Sequence, residues 1–351
     1  MTRVLVAMSG GVDSAVSAAL LKRQGYEVTG VTLKLWGGAQ DQGCCSVSDV
    51  DDARRVAQQL QIDHFVFNYG EAFDRHVVEP YVEAHASGLT PNPCIECNRH
   101  IKFDALLDRA RQLNFDRVAT GHHARIVDTE IGPRLSRGAD LDKDQSYVLY
   151  MLSERDLKML QFPIGHMKKS EVRELANELG LRSASKPDSQ DVCFITASEG
   201  RGKFLSERLN LHAGQVVDMS GNNIGTVDAI ELVTVGQRKG LKLGGNVGRS
   251  YAVAVDIQSR RVKAGSAQDL LSETLEVRDH FWIGPEYEGP VAVQTSAHGD
   301  PVAAHVSADG SVQWTKARRK VAPGQAVVFY RDDVVIAVSY THLTLPTNRE
   351  V

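Results

Sequence analysis

The residues with the plainest chemistry are Ser9-Gly10-Gly11-Val12-Asp13-Ser14, which directly follow the apolar run Val4 to Met8. Two glycines between a strand-like run and a helix-like run let the backbone bend and present N–H groups beside the positive end of a helix dipole, which makes a seat for phosphate. Asp13 or Ser14 suits a helix cap, and a carboxylate beside phosphates also suits a divalent metal. An ordinary glycine-rich turn with an Asp cap fits the same six residues. The pattern is neither GxxxxGKS/T nor GxGxxG, so neither a Walker ATPase nor a dinucleotide-binding enzyme is supported.

Thiols are the second chemical group. Cys44, Cys45, Cys94, Cys97 and Cys193 are an odd set, too sparse for a disulfide framework in 351 residues, which leaves reactive, metal-binding or buried thiols. Arg99, His100 and Lys102 place cations near Cys97 and favour its thiolate, the nucleophilic form. Cys97 and Cys193 are so far apart in sequence that only tertiary folding unites them; two unrelated buried cysteines are the plain alternative. Cys94-x-x-Cys97 has the spacing of half a zinc site, but no second CxxC or paired His completes it. Cys44-Cys45 reads as loop thiols. His122 and His123 follow a strand-like run, where a structural histidine is the commoner case, and neither is given a catalytic role.

Forty basic against 44 acidic side chains, a net charge of −4, exclude a protein drawn to a polyanion by total charge. Nucleic-acid contact must come from local patches such as Lys168-Lys169, Arg201 with Lys203, Arg238-Lys239, Arg260-Arg261 and Arg318-Arg319-Lys320, although charge runs are usually solvated surface. With 42% hydrophobic and 24% charged residues the composition is that of a soluble globular chain, and no window approaches the ~18 apolar residues of a spanning helix. The run to Met8 breaks at Ser9 before it could form a signal-peptide core. A cytoplasmic protein with no membrane partner is expected.

These residues need elements to hold them. Val4 to Ala7, Val28 to Leu35, Phe65 to Phe67 and Arg117 to Thr120 read as strands. Ser14 to Gln24, a stretch capped by Ser48 and Asp51, about 72 to 86, about 103 to 113 and about 168 to 180 read as helices. Such alternation argues for a parallel sheet covered on both faces, with chemistry on the loops after the strands. Beyond Leu211, short alternating runs separated by Gly, Asn, Asp and Pro suit small β-rich domains or barrels. The expected division is 1–207, 208–271 and 272–338, with 339–351, which shows neither alternation nor a cap, as a non-native tail.

SGGVDS after a first strand resembles the PP-loop of ATP pyrophosphatases. The resemblance continues through TPNPCIECNRHIKF (90–103), ATGHHAR (119–125), DKDQSYVLY (142–150), KPDSQDVCFI (186–195), TVGQRKGL (234–241) and PGQAVVFY (323–330). Together these blocks are similar to the tRNA-specific 2-thiouridylases, the MnmA (TrmU) family. The resemblance implies an adenine nucleotide alpha hydrolase-like α/β domain followed by a central β-rich domain and a C-terminal β-barrel. It implies ATP with magnesium, held by Ala7, Met8, Ser9, Gly10, Gly11, Val12, Asp13 and Ser14, with adenine contacts near Leu33 and Gly121. It makes Cys97 the nucleophile and Cys193 the persulfide carrier, ending as a disulfide. Asn92, Pro93 and Cys94 take the target-base positions, and Lys143, Asp144, Gln145, Ser296 and Ala297 the tRNA contacts.

The implied partners are a tRNA with a wobble uridine, of the Lys, Glu and Gln acceptors, and a cysteine desulfurase or sulfur-relay donor. One branch of the family has Asp where Cys94 stands. Cys94, Cys97 and Cys193 therefore also offer three thiolates to an iron-sulfur cluster, a reading ranked below the persulfide and disulfide one. The rivals are another PP-loop ligase or amidotransferase, which needs no cysteine pair, and a non-catalytic RNA-binding protein.

Overall fold

The computed structural model describes residues 1–35, 47–188, 192, 194–195, 200–245 and 248–341. By its internal contacts the chain divides into two compact units. One is Met1–Val78 with Pro93–Ser198 and Asp333–Val335, and the other is Glu79–Asn92 with Glu199–Asp332 and Ile336–Val351.

The first unit is built on a parallel sheet of β1 (Arg3–Ala7), β2 (Glu27–Lys34), β3 (Asp63–Asn68), β4 (Arg117–Thr120) and β5 (Leu160–Gln161), in the order β3-β2-β1-β4-β5. Val4, Leu5 and Val6 in the central strand are at most 1% exposed, the unbroken apolar run expected of a strand covered on both faces. α1 (Val12–Arg23) is rich in Ala, Ser and Val and so lies close to the sheet. It shares a core with Ala53 and Val56 of α2 (Val47–Gln59) and with Val172 and Ala176 of a helix over Lys169–Glu178. β3 is an edge strand and exposes Phe65 and Val66.

Three local features differ from the expectation. α2 already includes Ser48 in its first turn, so Ser48 is not its cap. The helix expected from Phe103 begins at Pro93: α3 (Pro93–Glu96) leads through a π-type segment, Cys97–Ala105, into α4 (Leu106–Gln112). Proline suits that start, because its fixed φ and missing N–H cost nothing at a first helical position. Strands Ala124–Thr129 and Gly132–Arg137 form an antiparallel hairpin that the sequence reading did not include. The Lys169–Glu178 helix is labelled α5.

The second unit holds two β-rich layers. Lys242–Leu243, Asn223–Val227, Gly214–Val217, Arg261–Gly265 and Tyr251–Asp256 form a five-stranded sheet around Val216, Val227, Ile230 and Val262. Residues 271–341 supply further strands around Val291, Val293, Trp314 and Phe329. Gly200–Ser206, placed by the sequence reading in the first domain, belongs by contact to this unit. Phe204 meets Tyr81 edge-on at 6.3 Å and Arg201 donates to the Leu232 carbonyl at 2.9 Å. The last strand runs to Thr341, past the expected limit of 338, because Ser339 and Thr341 continue the inward alternation with hydroxyls. The Thr341 hydroxyl donates to the Ala322 carbonyl at 2.8 Å. Residues 342–351 lie outside the described residues.

Candidate active site

In the order β3-β2-β1-β4-β5 the chain winds outward one way from β1 and the other way from β4, so the crevice of the sheet lies between the carboxyl ends of these two strands. Both ends carry glycine there. Gly10 has φ +75°, the left-handed region that glycine adopts without strain, and a Cβ on it would run into the Asp49 carbonyl. A Cβ on Gly121 would lie 2.6 Å from the Ser14 nitrogen and 2.7 Å from the Asp13 carbonyl carbon. The β4 loop therefore presses directly on the start of α1. Gly11 caps α1 without a side-chain hydrogen bond, so neither Asp13 nor Ser14 is the cap that the sequence admitted. The Ser14 hydroxyl instead accepts from the Ser9 N–H at 3.2 Å and donates to the Gly11 carbonyl at 3.1 Å, bracing the loop from inside. Leu33 is buried in β2 beside this loop's strand.

The Asp13 carboxylate is the centre of a charge cluster. Lys169, in the first turn of α5, donates to its two oxygens at 2.7 and 2.6 Å, and His123 Nε2 stands 3.3 Å from Oδ1. Burial pushes the Asp13 carboxyl up, but the bonds and charges of His123 and Lys169 outweigh it and hold the group below the usual carboxylate range. The same Lys169 ammonium lies 3.0 Å from Asp188, which also takes Lys143 at 3.0 Å and Arg173 at 2.8 Å. Burial works against the Asp188 charge, yet Lys143 and Lys169 bring its pKa down to about 2. Lys186, two residues earlier, clasps Asp49 at 2.6 Å and Asp52 at 2.8 Å on α2. His122 is buried, shares a 2.7 Å hydrogen bond with Thr120, and is kept neutral first by burial and then by the Lys102 and His123 charges.

Cys97 is 6% exposed at the start of the π-type segment, whereas Cys94 is exposed. That segment runs on to Phe103, whose ring lies 5.8 Å from His122 at the end of β4. Cys193, like Cys44 and Cys45, lies outside the described residues. Its neighbour Phe194 meets Phe73 edge-on at 5.7 Å, and the helical stretch beginning at Gly70 packs on the Cys97–Ala105 segment. Pro93 is buried and Asn92 half-buried.

Of the residues assigned to tRNA, Lys143 is 40% exposed but already paired with Asp188. Asp144 has an internal task, accepting from Arg137, from the Gly138 N–H and from Ser146. Gln145 accepts from the His123 N–H at 2.8 Å. Ser296 is exposed in the second unit, where its carbonyl accepts from Gln294, and Ala297 is half-buried beside it. Among the basic patches, Arg238, Lys239, Arg260, Arg261, Arg318, Arg319 and Lys320 are exposed, but Lys169 is buried on Asp13. That is a correction to its reading as a backbone contact. His123, given no catalytic role from the sequence, has its Nε2 against Asp13.

Residues 2–197 match the domain described as tRNA methyl transferase HUP domain, 202–266 the tRNA methyl transferase PRC-barrel domain, and 272–337 the aminomethyltransferase beta-barrel domain. A protein of Chloroflexus aurantiacus named tRNA-specific 2-thiouridylase MnmA is 46% identical over 349 residues, covering 96% of this chain and 97% of its own. The chain belongs to the tRNA-specific 2-thiouridylase family. A second relative of that name, from Carboxydothermus hydrogenoformans, is 44% identical and covers 95% of this chain and 96% of its own. Among solved structures, the U34-tRNA thiolase NcsA from Methanococcus maripaludis is 19% identical with a TM-score of 0.37, covering 59% of this chain and 63% of its own. A 4-thiouridine synthetase in complex with RNA and ATP is 18% identical with a TM-score of 0.37, covering 55% and 44%. Sequence reasoning gave His123, Lys169 and Asp188 no place beside the Ser9–Ser14 loop, whereas the fold sets His123 and Lys169 on Asp13 and Asp188 on Lys169. His123 and Asp188 lie inside quoted blocks and Lys169 in none, and no spacing signals that they converge.

Proposed function

We propose that this chain is a tRNA 2-thiouridylase: it adenylates the C2 oxygen of a wobble uridine with ATP, releases pyrophosphate, and replaces that oxygen by sulfur. The observation that carries this reading is the match of all three domains to relatives of one name over nearly the whole chain. The relatives' shared name favours sulfur transfer over the methyl transfer in the domain names.

The glycine-lined crevice between β1 and β4 is the seat for the triphosphate, and glycine at 121 lets the β4 loop close on the start of α1 beside it. Asp13 fits magnesium, since this ion is commonly held by one or two carboxylates together with substrate phosphates; magnesium there would neutralise phosphate charge as pyrophosphate departs. Lys169 holds the Asp13 carboxylate from α5, and His123 orients it through Nε2. Attaching AMP to the C2 oxygen turns a poor leaving group into a good one.

The uridine must leave the anticodon stack to expose C2, and Asn92, Pro93 and Cys94 are its expected surround. Sulfur comes from a persulfide on Cys193. It attacks C2 directly, with Cys97 resolving the persulfide, or Cys97 first displaces sulfide that attacks. In either route AMP leaves, the bond between the two persulfide sulfurs breaks, and Cys97 and Cys193 end as a disulfide that a reductant must reopen. An iron-sulfur cluster would need Cys94, Cys97 and Cys193 together. The first two differ sharply in exposure and the third lies outside the described residues, so no step is assigned to a cluster.

The tRNAs for Lys, Glu and Gln are the expected acceptors, with a cysteine desulfurase or relay protein as donor. Nucleoside mass spectrometry after incubation with ATP, magnesium, cysteine, a desulfurase and unmodified tRNA tests the reading: 2-thiouridine should appear with stoichiometric pyrophosphate. Pyrophosphate released without tRNA would favour a small-molecule PP-loop enzyme instead.

A further inference from the structure

Asp188 collects cations from two places with separate expected duties. Lys143 comes from the block aligned with tRNA contact and is the exposed member, at 40%. Lys169 comes from the first turn of α5, is 11% exposed, and divides one ammonium between Asp188 at 3.0 Å and Asp13 at 2.6 Å. Arg173, one turn further along α5, anchors Asp188 at 2.8 Å and also holds the carbonyls of Ala184 and Lys186. Asp188 is thus fixed in place while two lysines share it. When a carboxylate loses one of several cations, its pull on those remaining grows. A phosphate that takes Lys143 leaves Asp188 with Arg173 and Lys169, and the balance on Lys169 moves away from Asp13. The Asp13 carboxylate then becomes available to a metal.

We propose that Asp188 is a positioning residue that couples tRNA binding to magnesium–nucleotide binding by competing with Asp13 for Lys169. The proposal rests on the reading above, in which Lys143 meets tRNA and Asp13 meets the metal. Because Asp188 is partly exposed, the coupling is small, about 3–10-fold in affinity. Linkage makes it reciprocal, so magnesium–nucleotide tightens tRNA by the same factor.

The test measures the affinity of a non-hydrolysable ATP analogue for the full chain, with and without saturating unmodified tRNA, in magnesium and in EDTA. In wild type, tRNA should tighten the analogue by about 3–10-fold in magnesium and leave it unchanged in EDTA. Lys143→Met without tRNA should already show the tightened value and gain nothing further from tRNA. Asp188→Asn should bind both ligands with a coupling factor near one. A wild-type factor of one with both ligands bound overturns the proposal, as does Lys143→Met binding the analogue like free wild type. An Asp188→Asn variant that melts earlier yet keeps the full factor shows a merely structural acid and also overturns it. If wild type binds no analogue or no tRNA, the functional reading itself fails, and that result is distinct from independent binding of both.

Discussion

Replacing Lys169 by Met removes an ammonium that two carboxylates share while keeping most of its buried stem. The nitrogen stands 2.6 and 2.7 Å from the Asp13 oxygens and 3.0 Å from Asp188. Removing one partner of a fully buried pair costs about 3–5 kcal/mol. Here Asp13 and Asp188 are 30% and 23% exposed, and His123, Lys143 and Arg173 remain, so screening reduces the loss to about 1–2 kcal/mol. For a unit of about 200 residues this lowers Tm by roughly 2–8 °C. Both carboxyls lie below their ordinary value of 3.8, so the stability they confer is present above that value and is lost as pH falls through the folded value, about 2 for Asp188. The Tm gap between wild type and variant should be widest at neutral pH and close between about pH 4 and pH 2. Calorimetric melts across that range check it. A gap that is absent at neutral pH, or as wide in acid as at neutrality, would refute the reasoning. In the same variant Asp13 has no ammonium competing with the metal, so magnesium–nucleotide should bind about 3–10-fold more tightly than to wild type, with nothing further gained from tRNA.

Cys97→Ser and Cys193→Ser should each abolish 2-thiouridine while pyrophosphate is still released, as nucleoside mass spectrometry and a pyrophosphate assay would show; sulfur incorporation by either variant contradicts the two-thiol route. Asp13→Asn should lower adenylation by about 10² or more with tRNA affinity in filter binding nearly unchanged. Gly121→Ala places a methyl group 2.6–2.7 Å from the start of α1; it should cost about 1–3 kcal/mol and weaken ATP binding more than about tenfold by calorimetry. A folded Gly121→Ala protein with native ATP affinity would remove Gly121 from the nucleotide seat.

The four longer strands of the parallel sheet and the glycine loop that starts α1 were legible because each is a local pattern: an apolar run, a glycine pair, a helix-like period. Elements set by polar or tertiary terms were not. The helix from Pro93 carries Cys94, Glu96, Cys97, Asn98 and Arg99 in close succession, a polar surface that hides a helix anchored by Ile95 and Ile101. Lys168-Lys169 is an ordinary basic dipeptide in one dimension. Lys168 is exposed and Lys169 buried only because α5 packs on α1 and brings its first turn to Asp13. His123 was discounted on frequency grounds, and nothing near it in sequence names Asp13 as its partner.

The first strand of the chain lies at the centre of its sheet, flanked by a strand that follows at once and by another made only after residue 116. The Asp13 to Lys169 pair spans 156 positions. During translation at about 5–20 residues per second, Asp13 therefore waits roughly 8–30 s before its cation has been polymerised. For the first roughly 6–23 s of that interval, until β4 is made, an apolar ribbon stands with one flank unpaired, an edge open to pairing with other chains.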